Sequence, residues 1–227
     1  MAWVAEELFD SYSDGDLNGN NGGSGFSAAW SGGTNYDVQG TTVYQGAKAV
    51  TGVNANQNIS RPLTTAVSSG VVYVAMRYSA GTGDAQFDFR TSGNTTNAFR
   101  ISMRDVSGSK NILTLAAVET TLLTGFDTSV FYVFEVTING DNTFNIRFHN
   151  GTSWSSTTSN LAYANNGNID GVQLNSGGAQ TVFYDYISPT NPISSTSIKT
   201  VNGLAYASVK TVNGLAVPSV KTIKGLA

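Results

Sequence analysis

The chain of 227 residues is long enough for one ordinary domain with a buried core and a short appendage, and its net charge is −3. Apolar residues make up 40% of it but charged residues only 12%, about half the usual share. The absence of cysteine excludes disulfides, thiolate metal sites and a cysteine nucleophile, and the single histidine, His149, excludes histidine-rich metal sites. Since no run of about 18 apolar residues exists, we expect no membrane span.

Residues 1–14 lack the basic and apolar regions of a signal peptide, so we expect synthesis in a cytoplasm without secretion.

The stretch that follows carries a pattern found in two different structures, an EF-hand calcium loop and a glycine-rich loop. Asp14, Asp16 and Asn18 match the first half of an EF-hand calcium loop, but its twelfth position, which needs a bidentate carboxylate, is Gly25. The EF-hand interpretation therefore fails. A calcium site of another geometry on the three oxygen-bearing residues is kept as an alternative, and tight turns explain the glycines better.

Seven segments after residue 70 are rich in β-branched and aromatic residues, which predicts strands. Several alternate apolar and polar residues, as strands with one buried face do. Asn139-Gly140 predicts a hairpin between two of them, whereas SAGTGD (79–84) and NSGGAQ (175–180) predict turns. No amphipathic helix is apparent. The predicted strands are 71–78, 86–90, 98–104, 111–118, 130–138, 144–150 and 181–187. We therefore expect an all-β fold, an antiparallel two-sheet jelly-roll sandwich, over residues 1–187.

The composition changes after the last predicted strand. Residues 188–196 hold two of the four prolines and predict a linker. Residues 197–227 contain three copies of an 11-residue repeat, S-[IV]-K-T-[VI]-[NK]-G-L-A, the last one truncated. Their four lysines give this tail a charge of +4 and leave eight basic against fifteen acidic residues in the body, which is about −7. A basic tail is suited to an acidic surface.

Each repeat pairs a β-prone arm with a turn dipeptide but is too short to bury its own apolar side chains. We therefore expect the tail to pair with other copies of the chain, or with a partner protein, by strand addition. A solvated, unstructured tail is the alternative. The expected assembly residues are Ile198, Lys199, Val201, Leu204, Tyr206, Val209, Lys210, Val212, Leu215, Val217, Val220, Lys221, Ile223 and Leu226.

Catalytic patterns are absent from the sequence. Sandwich glycosidases place carboxylates as E-x-D-x-x-E on one strand, and no such run occurs. Neither a G-x-S-x-G elbow nor a phosphate-binding glycine loop is present. Asp88, near Arg90 in an alternating run, is expected to face solvent, and His149 to lie on the surface. We expect no enzyme, no catalytic residue and, because the lysines are sparse and the body acidic, no nucleic-acid binding.

Carbohydrate binding is the alternative function that the residues support. Sugars are often held by exposed aromatic side chains, with amides and carboxylates nearby to bind hydroxyl groups. Trp30, Tyr36, Trp154 and Tyr163 lie in or beside segments with Asn and Asp and are the candidate contacts. The competing interpretation for each is packing in a sandwich core.

The first 65 residues resemble the opening of bacterial concanavalin A-like (LamG-type) jelly-roll domains. The matching positions are Phe9-Asp10, Gly15, Leu17, Gly19, Gly22-Gly23, Gly25-Phe26 and Trp30-Ser31-Gly32-Gly33. The hairpin around residues 130–154 and the closing strand VFYDYI extend the likeness over about 6–187, although Asp185-Tyr186-Ile187 departs from the usual closing pattern. The resemblance implies the fold; its members include lectins, hydrolases and structural modules.

The tail separately resembles K-T/V-x-N-G-x-A repeats at the C-termini of bacteriophage virion proteins. Together the two resemblances imply a non-enzymatic structural protein on the surface of a phage-like virion: a capsid decoration, head-fibre or tail-associated protein. Its expected partners are other virion proteins, further copies of itself through the tail and, in the alternative, host surface glycans bound for adhesion. No cofactor is expected apart from the calcium alternative.

Overall fold

The computed structural model describes residues 1–53 and 57–193, and beyond them four dipeptide strands. The chain divides into two units, Met1–Pro192 and Ile193–Ala227, which are described one at a time. The described residues form strands and no helix, which confirms the all-β class, and none of them forms a helix with the length and hydropathy of a membrane span. The strands of the first unit are β1 (Gly15–Asp16), β2 (Ser31–Gly32), β3 (Tyr36–Gln39), β4 (Ala49–Val53), β5 (Gln57–Val67), β6 (Gly70–Thr91), β7 (Thr96–Val106), β8 (Ser109–Leu115), β9 (Glu119–Thr124), β10 (Tyr132–Ile138), β11 (Thr143–His149), β12 (Thr158–Ala162) and β13 (Ile169–Ser188).

Two antiparallel sheets make up the first unit, and two long strands belong to both. The first sheet has the order β1-β3-β4-β13-β6-β10-β11-β12. The second has β5, the first half of β13, the second half of β6, then β7, β8 and β9, with β2 at the outer edge of β5. The predicted antiparallel jelly-roll sandwich is therefore confirmed.

The long strands β6 and β13 pair along most of their lengths, from Arg90 opposite Gly171 to Tyr73 opposite Ser188. They pass from one sheet to the other at SAGTGD and NSGGAQ, so the prediction of turns at these clusters was wrong: both are corners inside continuous strands. Gly81 has a φ of +95°, and a Cβ there would lie 1.9 Å from the carbonyl oxygen of Ala179. Glycine is required because no other residue permits the two backbones to approach so closely.

The core lies between the sheets and is dominated by aromatic side chains. Phe99 stacks on Phe89 with ring centroids 4.4 Å apart and on Phe144 at 3.9 Å, so the stack joins the second sheet to the first. All three are fully buried. Each such pair contributes about 0.5–1.5 kcal/mol beyond the burial of area. The hairpin predicted at Asn139-Gly140 is confirmed, since Ile138 of β10 lies opposite Phe144 of β11.

The glycine-rich N-terminal stretch is a loop held by a buried ion pair. Gly15, Gly19, Gly23 and Gly25 all have positive φ, which confirms the interpretation as tight turns. The side chain of Arg61, which points inward from β5, bonds to the Glu7 carboxylate at 2.5 Å and to the Gly22 carbonyl at 2.7 Å. This arginine therefore fastens the loop to the second sheet.

Two short antiparallel ladders are described in the second unit. Thr200–Val201 (β14) pairs with Leu204–Ala205 (β15), and Thr211–Val212 (β16) pairs with Leu215–Ala216 (β17). Each ladder spans one predicted turn dipeptide of the repeat. Of the predicted assembly residues, Val201, Leu204, Val212 and Leu215 lie in these strands, and the others lie outside the described residues, as does the third copy of the repeat.

Candidate binding face

Three of the four aromatic residues predicted to contact a sugar lie in the core. Trp30 is 1% exposed and Tyr36 is 0% exposed, with the Tyr36 hydroxyl donating to the Gln57 carbonyl at 2.9 Å. Tyr163 is 5% exposed and packs on the Phe99 ring with centroids 5.1 Å apart. These three side chains have no free ring face for a ligand, so their assignment as sugar contacts is corrected to core packing. Trp30 and Tyr163 lie in loops, and Tyr36 begins the short strand β3, so alternation in the sequence could not show that they are buried.

Trp154, the fourth predicted contact, is partly exposed and belongs to a cluster on the outer side of the first sheet. The Arg147 guanidinium lies over its ring at 4.6 Å, and the His149 ring meets it edge-on at 5.3 Å. Arg147 in turn makes a bidentate ion pair with Glu135, at 2.9 and 2.7 Å. One face of the indole is therefore already occupied by the protein. His149 is partly exposed, so it lies near the surface as expected; burial lowers its pKa, and its Nδ1 accepts a hydrogen bond from the Gly151 amide.

The oxygens proposed for the calcium alternative are each used separately. The Asp14 carboxylate pairs with the Lys48 ammonium at 2.5 Å, Asp16 accepts from the Asn18 amide at 2.9 Å, and the Asn18 side-chain oxygen accepts from the Gly32 amide at 3.3 Å. Within the described ranges, no group of three or more histidine, aspartate and glutamate side chains converges as a metal site would require. The calcium alternative, which includes an amide oxygen among its ligands, stays a prediction.

The outer side of the second sheet carries a continuous polar surface, which we call the polar face. Its residues alternate along β6, β7 and β13 with core residues such as Phe87 and Phe89, so that they point away from the core. The polar face consists of Asp84, Gln86, Asp88, Arg90, Arg100, Ser102, Arg104, Gln173 and Asn175.

Asp88 lies at the centre of the polar face and is 0% exposed, so the expectation that it faces solvent was wrong. Neighbouring side chains cover it: Arg100 approaches from β7, with its Nε 3.4 Å from Asp88 Oδ1, and Gln173 lies opposite on β13. Neither carboxylate oxygen accepts a hydrogen bond of good geometry from a described residue, and the buried Ser102 hydroxyl is equally without a partner there. Buried polar groups left in this state cost about 1–3 kcal/mol each and mark strained or functional places.

The electrostatics of Asp88 are set mainly by burial. Burial raises the pKa of its carboxyl from 3.8 to about 6, while the guanidiniums of Arg100 and Arg90 and the amide of Asn175 act in the opposite direction. Arg90 does not neutralise it directly, because its guanidinium donates to neutral acceptors: Asn97, Gln173 and the Asn94 carbonyl. Burial lowers the pKa of Arg90 as well. The centre of the polar face therefore holds two guanidinium cations and one carboxylate whose ionised form is disfavoured by burial.

Replacing Asp88 with asparagine is expected to raise the free energy of unfolding by about 3 kcal/mol at pH 8 and by only about 1 kcal/mol at pH 4.5. The folded carboxyl holds its proton up to about pH 6, whereas an ordinary one releases it near 3.8. The wild type therefore loses stability as the pH rises through 6, and asparagine does not titrate. Urea denaturation at the two pH values measures the difference. Asp84→Asn, which removes an ion pair with Arg104, should lose stability instead. An equal gain for Asp88→Asn at both pH values would contradict the assignment.

A cavity of about 280 Å³ opens beside Arg100, between the start of β7, the end of β8 and the segment after β12. Its lining combines one guanidinium, two amides and three apolar side chains: Arg100, Asn97, Asn165, Leu115, Ala116 and Ala164. The Asn165 side-chain amide donates to the Asn97 backbone carbonyl at 2.8 Å, and the Ala164 backbone amide donates to the Ala98 carbonyl at 2.7 Å, so these two hydrogen bonds hold the wall in place. None of the lining residues is acidic.

Two other cavities have fewer free polar groups to bind a polar ligand. One of about 300 Å³ is lined mainly by apolar and small residues, among them Val4 and Leu63. One of about 230 Å³ lies along residues 6–11, but its carboxylates are occupied. Glu7 bonds to Arg61, and Asp10 accepts the amides of Ala47 and Lys48. The cavity beside the polar face is therefore the better candidate site.

Several solved structures have a fold similar to that of this chain. A carbohydrate esterase from the Shiga toxin-encoding bacteriophage phi24B superimposes with a TM-score of 0.50 at 14% identity, over 78% of this chain and 98% of the other. A Bacillus licheniformis β-glucanase gives 0.46 at 12% identity, over 82% and 97%, and a tetrameric galectin from the sponge Cinachyrella gives 0.40 at 15% identity, over 58% and 97%. No protein-family model and no curated protein matches the sequence. At such identities the likeness shows the fold alone, a jelly-roll β-sandwich.

Proposed function

We propose that the protein is a carbohydrate-binding module whose ligand occupies the cavity beside the polar face. The observation that carries the proposal is the cavity's lining. Arg100, Asn97 and Asn165 supply hydrogen-bonding groups for hydroxyls, while Leu115, Ala116 and Ala164 offer an apolar surface for the carbon face of a sugar ring. Small-ligand sites combine a few polar groups with apolar walls in this way, in cavities of about 300 Å³ and upward.

The proposed function is binding without catalysis. Glycoside hydrolysis needs two free carboxylates on opposite sides of the scissile bond. On and beside the polar face, Asp84 and Glu119 both pair with Arg104, at 2.6 and 3.1 Å, and Asp88 is covered by its neighbours. This arrangement supports a site that holds a sugar and leaves its bonds intact.

A cavity-filling substitution tests the location of the site. Ala164→Trp should reduce affinity at least tenfold for any glycan that the intact chain binds on an array, because the indole fills the cavity. Ala117→Trp is the matched control: Ala117 is exposed nearby but does not line the cavity, so binding should persist. Silence of the whole array would overturn the function, and equal losses in both variants would overturn the location. Circular dichroism and thermal melting check that both variants fold.

A second candidate function rests on the repeats, not on the cavity. The two described ladders, Val201 opposite Leu204 and Val212 opposite Leu215, are two-stranded ribbons, which are marginal alone in water. Such ribbons favour pairing of residues 197–227 with other copies of the chain or with a partner protein. The resemblance of the repeats to those of bacteriophage virion proteins supports a role as a surface component of a phage-like virion. Analytical ultracentrifugation of the full chain against a chain ending at Pro192 tests it. An oligomer that persists without the repeats would contradict the role of the tail.

A further inference from the structure

Arg100 differs from the other arginines of the chain. Among the described residues, Arg61, Arg77, Arg90, Arg104 and Arg147 each donate at least one hydrogen bond to a protein acceptor. Arg100 donates none, and its one ion-pair partner there, Asp88, is 3.4 Å from Nε. Its side chain is 32% exposed and lines the cavity. A guanidinium is a planar fork of five donors, so this one is available to a ligand.

The charges around Arg100 favour an anion in the cavity. No acidic residue lines it, and burial raises the pKa of Asp88 to about 6, so the competing carboxylate loses its charge only as the pH falls below about 6. The other charged groups on or near the polar face are already engaged. Asp84 and Glu119 are paired with Arg104, Asp170 accepts the backbone amides of Gly93 and Asn94, and Arg90 donates to neutral acceptors. The cavity wall is therefore locally positive although the body of the chain is acidic.

We propose that the ligand is an acidic saccharide, such as a uronic or sialic acid, whose carboxylate is bound by the Arg100 guanidinium. The inference rests on the proposed function and specifies its ligand class. A carboxylate matches the planar fork with two parallel hydrogen bonds. The Asn97 side-chain oxygen accepts from Arg90, which leaves its amide NH₂ to donate, and the Asn165 amide donates to the Asn97 carbonyl, which leaves its side-chain oxygen to accept. These two groups can bind the hydroxyls of the same ring.

The decisive measurement is calorimetry with the full chain and matched pairs of oligosaccharides: oligogalacturonate against galacto-oligosaccharide of equal length, and sialyllactose against lactose, with sulfated lactose as a third arm. We expect at least one acidic member to bind about tenfold or more tightly than its neutral partner. Arg100→Gln should abolish that preference, and Arg100→Lys, which keeps the charge without the fork, should retain part of it. Arg77→Gln, which removes an arginine on the other sheet, should leave it unchanged.

The possible outcomes distinguish failure of the acidic-ligand inference from failure of the proposed carbohydrate-binding function. Equal binding of both members of every pair, unaffected by Arg100→Gln, overturns the acidic ligand and leaves a carbohydrate-binding module. Binding of sulfated lactose alone also overturns it, because the carboxylate is then not what is recognised. Binding of none of these sugars overturns the acidic ligand, and the glycan array then decides whether the chain binds carbohydrate. Asp88 competes with the ligand for the Arg100 guanidinium, so acidic binding should strengthen as Asp88 is protonated between pH 7.5 and 5, and Asp88→Asn should remove this pH dependence. A pH dependence that survives in Asp88→Asn would contradict the role of Asp88.

Discussion

Replacing Arg61 with methionine is expected to lower the free energy of unfolding by about 3–5 kcal/mol, the usual cost of breaking a buried ion pair. Glu7 is 1% exposed and would keep a charge with no cation beside it. The substitution also removes the bonds to Asn21 and Ala28, at 2.8 and 2.9 Å, and the stacking of the guanidinium 4.3 Å over the Phe26 ring. Urea denaturation at pH 7 measures the loss.

Two further variants identify the cause of that loss. The double variant Glu7→Gln with Arg61→Met has no uncompensated charge, so it should recover part of the stability. Arg104→Gln breaks the ion pairs with Asp84 and Glu119, in which the side chains are about a quarter to a half exposed, and should cost about 1 kcal/mol or less. If Arg61→Met were no more damaging than Arg104→Gln, the buried pair would not be what holds the N-terminal loop.

Gly81→Ala is the second substitution with a large expected effect, about 2–5 kcal/mol of destabilisation. The new Cβ would meet the Ala179 carbonyl oxygen at 1.9 Å, and the backbone φ of +95° is itself unfavourable for alanine. Gly108→Ala is the matched control, because Gly108 has a φ of +87° but no atom within 4 Å of the added Cβ. It should cost about 1–2 kcal/mol. Equal losses in the two variants would mean that the close approach at the corner is not limiting.

The alternating strands could be predicted from the sequence because the alternation is local. The pairing of β10 with β11 follows from Asn139-Gly140 and from the phase of Phe144, Ile146 and Phe148. The corners could not be predicted in the same way. A turn and a bend inside a long strand both need glycine at positive φ, so SAGTGD and NSGGAQ have the same composition in either case. Only the long-range pairing of β6 with β13 decides between them.

The candidate site could not be predicted from the sequence. Alternation correctly placed Asp88 on the side opposite Phe87 and Phe89, but it does not say whether an outward side chain is covered by its neighbours on other strands. The coverage comes from Arg100 and Gln173, which are 12 and 85 positions away in the sequence. A signal was present in retrospect: Gln86, Asp88 and Arg90 alternate on one strand, a dense set of hydrogen-bonding groups for a chain with so few charges.

The sharing of β6 and β13 between the sheets also governs how the domain must fold. Residues that pair across these strands are separated by about 80 to 115 positions, and the same two strands form the middle of both sheets. Neither sheet can be completed while the other is absent, so partial structures expose a half-built core. Such non-local topologies fold slowly, in about milliseconds to seconds. We therefore expect the sandwich to fold as one unit that cannot be divided between its two layers.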